Sequence, residues 1–195
     1  MSSINNVIWI RHAITHTRTL VGWTDIEADL SDVVTLSRLR NRLPEDAIVV
    51  SSDLKRASQT ADAIVGRRRR LSDDRGLREI HFGLWEGKTT KEIEMSHPVI
   101  SRRFWTNPRG VSPPQGESWQ DVGFRASDSI DRLIQQFPGD TIVAVAHFGT
   151  ILSQACRANN ADQETLFATS IANLSMTTLR HDGDHRELLE FSKMP

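Results

Sequence analysis

The stretch Ile8-Trp9-Ile10-Arg11-His12-Ala13 decides how this chain is read: an apolar run that halts at an arginine and a histidine. Short apolar runs rich in isoleucine and valine and stopped by polar residues read as buried strands. In open α/β sheets ligands collect outside the carboxyl ends of the strands, so such a run hands its two last side chains to that edge. An arginine guanidinium is a permanent cation whose planar fork of donors fits phosphate or carboxylate. The adjoining imidazole can act as nucleophile, base or metal ligand. Taken alone the pair reads as a solvated strand end, and the rest of the chain has to decide.

Two more apolar runs repeat the pattern. Ala47-Ile48-Val49-Val50 leads into Ser51-Ser52-Asp53, and Thr141 to Ala146 leads into His147-Phe148-Gly149. A helix predicted over Lys55 to Val65, with Ala57, Ala61, Ile64 and Val65 inward, puts Arg56 in its first turn beside the second strand's end. A helix start offers unpaired N–H donors and a partial positive charge, so an arginine there strengthens an anion site. Ser31 is expected to cap a helix that carries Val34, Leu36, Leu39 and Leu43 on one side and stops at Pro44. Ser118 is expected to cap a longer one with Val122, Ala126, Ile130, Leu133, Ile134 and Phe137 at helical spacing.

The remaining segments read as connections. Thr15 to Asp25 is a loop over the first strand end, a short strand is expected near Leu71, and Leu77 to Gly87 is a loop packed against the body. Ile93 to Trp105 holds helical pieces around Pro98, and Asn107 to Gly116, rich in proline and glycine, marks a loop or lid. Alternation at Leu174 to Leu179 and at Glu187 to Phe191 predicts edge strands joined by a turn at Asp182-Gly183-Asp184. This mixture of strands and helices gives a three-layer α/β domain.

Composition narrows the function. A chain of 195 residues is most simply one domain, residues 1–195, and its net charge of −1 argues against nucleic acid as a partner. The single cysteine, Cys156, excludes an intrachain disulfide framework and suits a reducing cytoplasm. No apolar run is long enough for a membrane span, and the amino terminus lacks an export signal. The run Arg67 to Arg70 reads as a solvated helix end beside a turn. His16, His81, His97, His181 and His185 form no short-spaced ligand cluster, so no metal and no cofactor are expected.

Four pieces of the sequence resemble the histidine phosphatases that include the cofactor-dependent phosphoglycerate mutases. They are Arg11-His12-Ala13 with Thr15; Ser51-Ser52-Asp53-Leu54-Lys55-Arg56-Ala57 with Thr60-Ala61; Leu77-Arg78-Glu79 with Phe82-Gly83 and Trp85-Glu86-Gly87; and Ala146-His147-Phe148-Gly149. They fall in the family's order across about 140 residues. The resemblance implies a phosphoglycerate mutase-like α/β/α sandwich, with a mostly parallel sheet and helices on both faces. It implies that His12 is the nucleophile that becomes a phosphohistidine and that Arg11, Arg56 and His147 form the phosphate pocket. Glu79 becomes the proton donor to the leaving group, with Glu86 as its rival. Arg18 and Phe148 join the substrate-binding set.

The chemistry fits those residue types. An incoming phosphomonoester carries nearly two negative charges, so two arginines and a protonated imidazole are suited to meet it. The attacking imidazole must be neutral at one nitrogen, and a hydrogen bond from the other to a backbone carbonyl would fix the tautomer. Two departures stand beside the nucleophile: Ala13 replaces the family's usual glycine, and Arg18 stands where it usually has asparagine. A cation at Arg18 would favour a substrate with a second negative group. The compact length and the run from Leu77 to Gly87, with Pro113 to Ser118 downstream, look most like the broad-specificity and α-ribazole phosphatases. The expected function is metal-independent hydrolysis of a small phosphorylated metabolite. A mutase-type phosphotransferase and a non-catalytic phosphate-binding protein are the alternatives. An oligomer is possible but not indicated.

Overall fold

The computed structural model describes residues 3–106 and 110–195. The first part of the expected lid, residues 107–109, lies outside the described residues. Strands β1 (Asn5–Arg11), β2 (Ile48–Ser51), β3 (Arg69–Arg70), β4 (Thr141–Ala146), β5 (Met176–Asp182) and β6 (His185–Lys193) form one sheet in the order β3-β2-β4-β1-β5-β6. The pairs β2–β3, β2–β4 and β1–β4 are parallel, whereas β5 runs antiparallel to both β1 and β6. Only β5 opposes the common direction, so the sheet is mostly parallel, as expected.

Among the described residues seven α-helices accompany it: α1 (Val33–Arg42), α2 (Lys55–Ile64), α3 (Thr90–Ser96), α4 (Pro98–Thr106), α5 (Trp119–Gln136), α6 (Phe148–Ala155) and α7 (Gln163–Phe167). Successive strand residues point to opposite faces, and the sequence supplies apolar residues for both. Ile10, Val49, Val143, Val145 and Met176 pack with Leu36, Leu39 and Leu43 and with Ala57, Ala61 and Ile64, under α1 and α2. Val7, Trp9, Val50, Ile142, Ala144 and Leu179 pack on the other face with Val122, Ala126 and Ile130 of α5 and Ile151, Leu152 and Ala155 of α6. The result is a three-layer sandwich. No helix among the described residues is long and apolar enough to cross a membrane.

Several local expectations are corrected. Asp32, not Ser31, caps α1, its carboxylate accepting from the Thr35 N–H at 3.0 Å, while the Ser31 N–H goes to Asp29. Val34 faces solvent, because the inward stripe is only Leu36 and Leu39 with Leu43 beyond the helix end. Of the two expected edge strands, β5 is interior with a neighbour on each side and β6 is an edge, as is β3 at the far side of the sheet. Arg69 and Arg70 are β3 itself, and Arg68 turns back to donate to the carbonyls of Arg40, Leu43 and Pro44 at the end of α1. Ser118 does cap α5, in a reciprocal capping box with Asp121.

This topology places β4 between β2 and β1, so three carboxyl ends lie side by side. Ser51 is level with Val145 and Arg11 with Ala146, which brings Ser52, His147 and His12 to one edge. The ladder continues one step beyond the strands: the His12 N–H donates to Ala146 O at 3.1 Å and the Ser52 N–H to Val145 O at 3.0 Å.

Candidate active site

His12 sits just past β1 and is buried, only 7% exposed. Its Nδ1 lies 2.7 Å from the carbonyl of Ala13. A carbonyl only accepts, so Nδ1 carries the proton and Nε2 keeps a lone pair. Asn173 fixes the backbone at this point by donating to His12 O at 2.7 Å. Burial first, then the Arg56 charge, lowers the His12 pKa to about 3, against the raising effect of the Ala13 bond. His12 is therefore a neutral imidazole across the physiological range.

His147 follows β4, its ring centroid 5.1 Å from that of His12 and tilted by 56°. It is fully buried and both ring nitrogens lack a hydrogen-bond partner. Burial, then the charge of Arg56, holds its pKa well below the ordinary value. The expected protonated imidazole is thus disfavoured in the protein alone, chiefly because burial penalises the charge, with Arg56 adding to the effect.

Arg56, 2% exposed, donates to Thr24 O at 3.0 Å and Gly22 O at 2.7 Å. Those carbonyls belong to the loop expected over the strand end. Arg11 donates to Ile171 O and lies 5.7 Å from the centre of the Phe148 ring, while its Nε is buried without a partner. Arg18 is exposed and makes no hydrogen bond or ion pair among the described residues, so the structure does not gather it with the others.

Glu79 is buried against the start of α6. Its carboxyl oxygens accept from the N–H groups of Ile80 at 2.9 Å and Gly149 at 3.1 Å. Burial raises its pKa, outweighing those two bonds and the attraction of Arg56 and Arg11. That direction favours the protonated acid, the form that can give a proton to a substrate oxygen. Glu86, its rival, instead accepts four donors: the N–H groups of Gly22 at 3.0 Å, Trp23 at 2.8 Å and Phe82 at 3.3 Å, and the Thr24 hydroxyl at 2.9 Å.

Two contributors escaped the sequence reading. Arg125 of α5 forks onto Glu117 at 2.8 Å through both Nε and Nη2, and donates to the carbonyls of Gly76, Arg78 and Glu79. It thereby pins the segment that carries Glu79 to the helix layer. Asn173 is the other, and neither lies in a local pattern that announces its contact. The described part of the expected lid is held down too: Leu84 N–H donates to Pro114 O at 2.9 Å and, just beyond the lid, Glu117 N–H donates to His81 O at 2.8 Å. Trp85 and Phe104 are core residues, while Trp105 is 41% exposed. Among the described residues no group of three or more His, Cys, Asp or Glu side chains is placed to hold a metal ion.

Comparison with known proteins follows the same lines. The family model described as histidine phosphatase superfamily (branch 1) matches residues 7–193. A bifunctional protein of Mycobacterium tuberculosis is 35% identical over 142 residues, 70% of this chain, and the chain spans 38% of that relative's length. A phosphoglycerate mutase-like protein of Arabidopsis thaliana is 31% identical over 188 residues, covering 91% of this chain and 80% of its own. Among solved structures, Bacillus stearothermophilus YhfR superposes with a TM-score of 0.87 at 27% identity, covering 98% of both chains. A mycobacterial glucosyl-3-phosphoglycerate phosphatase gives 0.82 at 26% identity, covering 97% of this chain and 99% of its own. The α-ribazole phosphatase of Shigella flexneri shares the fold, with a TM-score of 0.78 at 18% identity, covering 97% of this chain and 96% of its own. A family model spanning all six strands, joined to 31% identity over nine-tenths of the chain, settles the kinship: this protein belongs to branch 1 of the histidine phosphatase superfamily.

Proposed function

We propose that the chain, as one domain over residues 1–195, hydrolyses a small phosphomonoester without a metal, through a phosphohistidine on His12. The observation that carries this reading is the His12 tautomer: Nδ1 is tied to Ala13 O at 2.7 Å, which leaves Nε2 unprotonated beside His147. A binding protein would need neither that lone pair nor a buried carboxyl whose pKa is raised.

In the first half-reaction Nε2 attacks phosphorus in line, the N–P bond forms and the bond to the leaving oxygen breaks. Glu79 gives its proton to that oxygen. Arg11 and Arg56 meet the charge on the equatorial oxygens. The dianion counters the Arg56 and Arg11 charges that add to burial in holding the His147 pKa down, so substrate itself favours the imidazolium there. In the second half-reaction the Glu79 carboxylate takes a proton from water, the water oxygen bonds to phosphorus, the N–P bond breaks and inorganic phosphate leaves. Phe148 supports Arg11 by packing under its guanidinium, and the exposed Arg18 adds a cation that attracts anionic substrates at longer range. The glucosyl-3-phosphoglycerate phosphatase among the structural neighbours supports a small phosphorylated metabolite as substrate.

Turnover of p-nitrophenyl phosphate between about pH 5 and 8, undiminished by a chelator, is expected. No turnover overturns the hydrolase reading, and loss with chelator overturns the metal-independent one. In Glu79→Gln the good leaving group departs without an acid but water lacks its base, so labelled phosphate should accumulate as an acid-labile, base-stable adduct on the His12 peptide. Label elsewhere refutes the nucleophile. With 2- and 3-phosphoglycerate the expected product is inorganic phosphate, and interconversion of the two would favour the mutase alternative.

A further inference from the structure

Resting on the phosphatase reading above, we infer that Glu86 is a positioning residue for Arg56, acting through the backbone of Gly22-Trp23-Thr24. This tripeptide is gripped from both sides. Its donors, two N–H groups and one hydroxyl, go to the Glu86 carboxylate at 2.8 to 3.0 Å. Its acceptors, Gly22 O and Thr24 O, receive the two terminal nitrogens of Arg56 at 2.7 and 3.0 Å. The contact on Gly22 O is thus backed by a Glu86 contact on the same peptide unit, the Trp23 N–H, and the contact on Thr24 O by one on the same residue, the Thr24 hydroxyl.

The grip requires close approach. A Cβ on Gly22 would lie 2.3 Å from a Glu86 oxygen and 2.1 Å from Ile80 O, so only glycine lets the loop reach the carboxylate. Trp23 adds a third tie, its indole N–H donating to Glu79 O at 2.8 Å. The base of the loop is held independently, by Leu20 N–H on Lys88 O and Gly87 N–H on Leu20 O, both 2.9 Å. Loss of the carboxylate therefore frees the tip without unfolding the loop. Arg56 keeps its charge and its burial but loses the two carbonyls that aim its fork. A misplaced fork costs binding and phosphoryl transfer alike, because the same guanidinium meets the ground state and the transition state.

Glu86→Gln tests this, since the amide keeps the shape but sets an NH2 against a loop donor. We expect kcat/KM to fall on the order of 10- to 100-fold, by the same factor for p-nitrophenyl phosphate and for phenyl phosphate. In an Arg56→Lys background, which already lacks the fork, Glu86→Gln should cost little more. A leaving-group-dependent loss would mean that Glu86 handles a proton, and additive losses would mean that it acts independently of Arg56; either overturns the inference. Thr24→Val removes one donor and leaves no orphaned charge, so it reads the same coupling if Glu86→Gln folds poorly. An inactive wild type would sink the phosphatase reading, whereas active enzyme with additive variants sinks only this one.

Discussion

At the scale of single residues the site depends on atoms that are not there as much as on those that are. Gly149 lies at the start of α6, where a Cβ would sit 2.4 Å from a Glu79 oxygen and 2.7 Å from the Ile80 side chain. Gly149→Ala must therefore displace the Glu79 carboxyl from its place beside the Gly149 N–H. We expect kcat for phenyl phosphate, a poor leaving group, to fall by roughly 10²-fold, with a much smaller effect on p-nitrophenyl phosphate. Equal losses for both substrates would show that Glu79 is not the acid. Glu79 donates below its raised pKa, so activity is lost as pH rises through it. His12, at about 3, stays unprotonated well into acid. Arg11, His12, Arg56 and His147 were legible as candidates because each follows an apolar run or opens a helix, a local signal. Glu79 was legible only by resemblance. Asn173 and Arg125 were not legible at all, since their contacts cross 161 and 46 residues and depend on how elements dock.

At the scale of elements, strands β1, β2 and β4 were readable because both their faces are covered and their residues are nearly all apolar. β5 was misread as an edge: Thr177 and His181 are polar yet buried, so the pattern mimics a half-exposed strand. A cap was misassigned by one residue at α1, where serine and aspartate stand side by side and it is the Asp32 carboxylate that takes the Thr35 N–H. The helix layer that holds Arg125 is joined by buried polar contacts no periodicity predicts. Gln154 of α6 donates to Gly123 O at 2.9 Å and accepts from the Ser127 hydroxyl at 3.1 Å, and Arg186 of β6 donates to the same hydroxyl at 2.8 Å. Gln154→Ala leaves a buried carbonyl and hydroxyl with lost partners, and should cost about 1 to 3 kcal/mol of stability. Urea unfolding measures it. Because the contact lies away from the catalytic edge, KM for p-nitrophenyl phosphate should stay unchanged, and a large change in KM would mean that α5 and α6 shift the pocket.

At the scale of the whole molecule, three buried histidines make stability depend on acid. His12 and His147 sit at the carboxyl edge of the sheet. His181 sits on the opposite end of β1, paired with Asn5 and, on its other side, with Arg186. Burial first lowers the His181 pKa to about 4, with Arg186 adding to the effect, and its Nε2 is buried without a partner. The unfolded chain binds a proton at each of these sites near the ordinary value of 6.5, while the folded chain refuses it. Each histidine therefore contributes stability that is complete above about pH 6.5 and lost as pH falls toward the folded value. The protein should unfold more readily at pH 4.5 than at pH 7, and His181 alone should account for roughly 2 to 3 kcal/mol of the difference. His181→Gln removes that titration without touching the catalytic edge, so its urea midpoint should fall less between the two pH values than the wild-type midpoint does. Its activity toward p-nitrophenyl phosphate at pH 7 should match wild type. Parallel midpoint shifts in the two proteins would show that His181 accepts its proton in the folded state, and would move the acid sensitivity to His12 and His147 at the other edge.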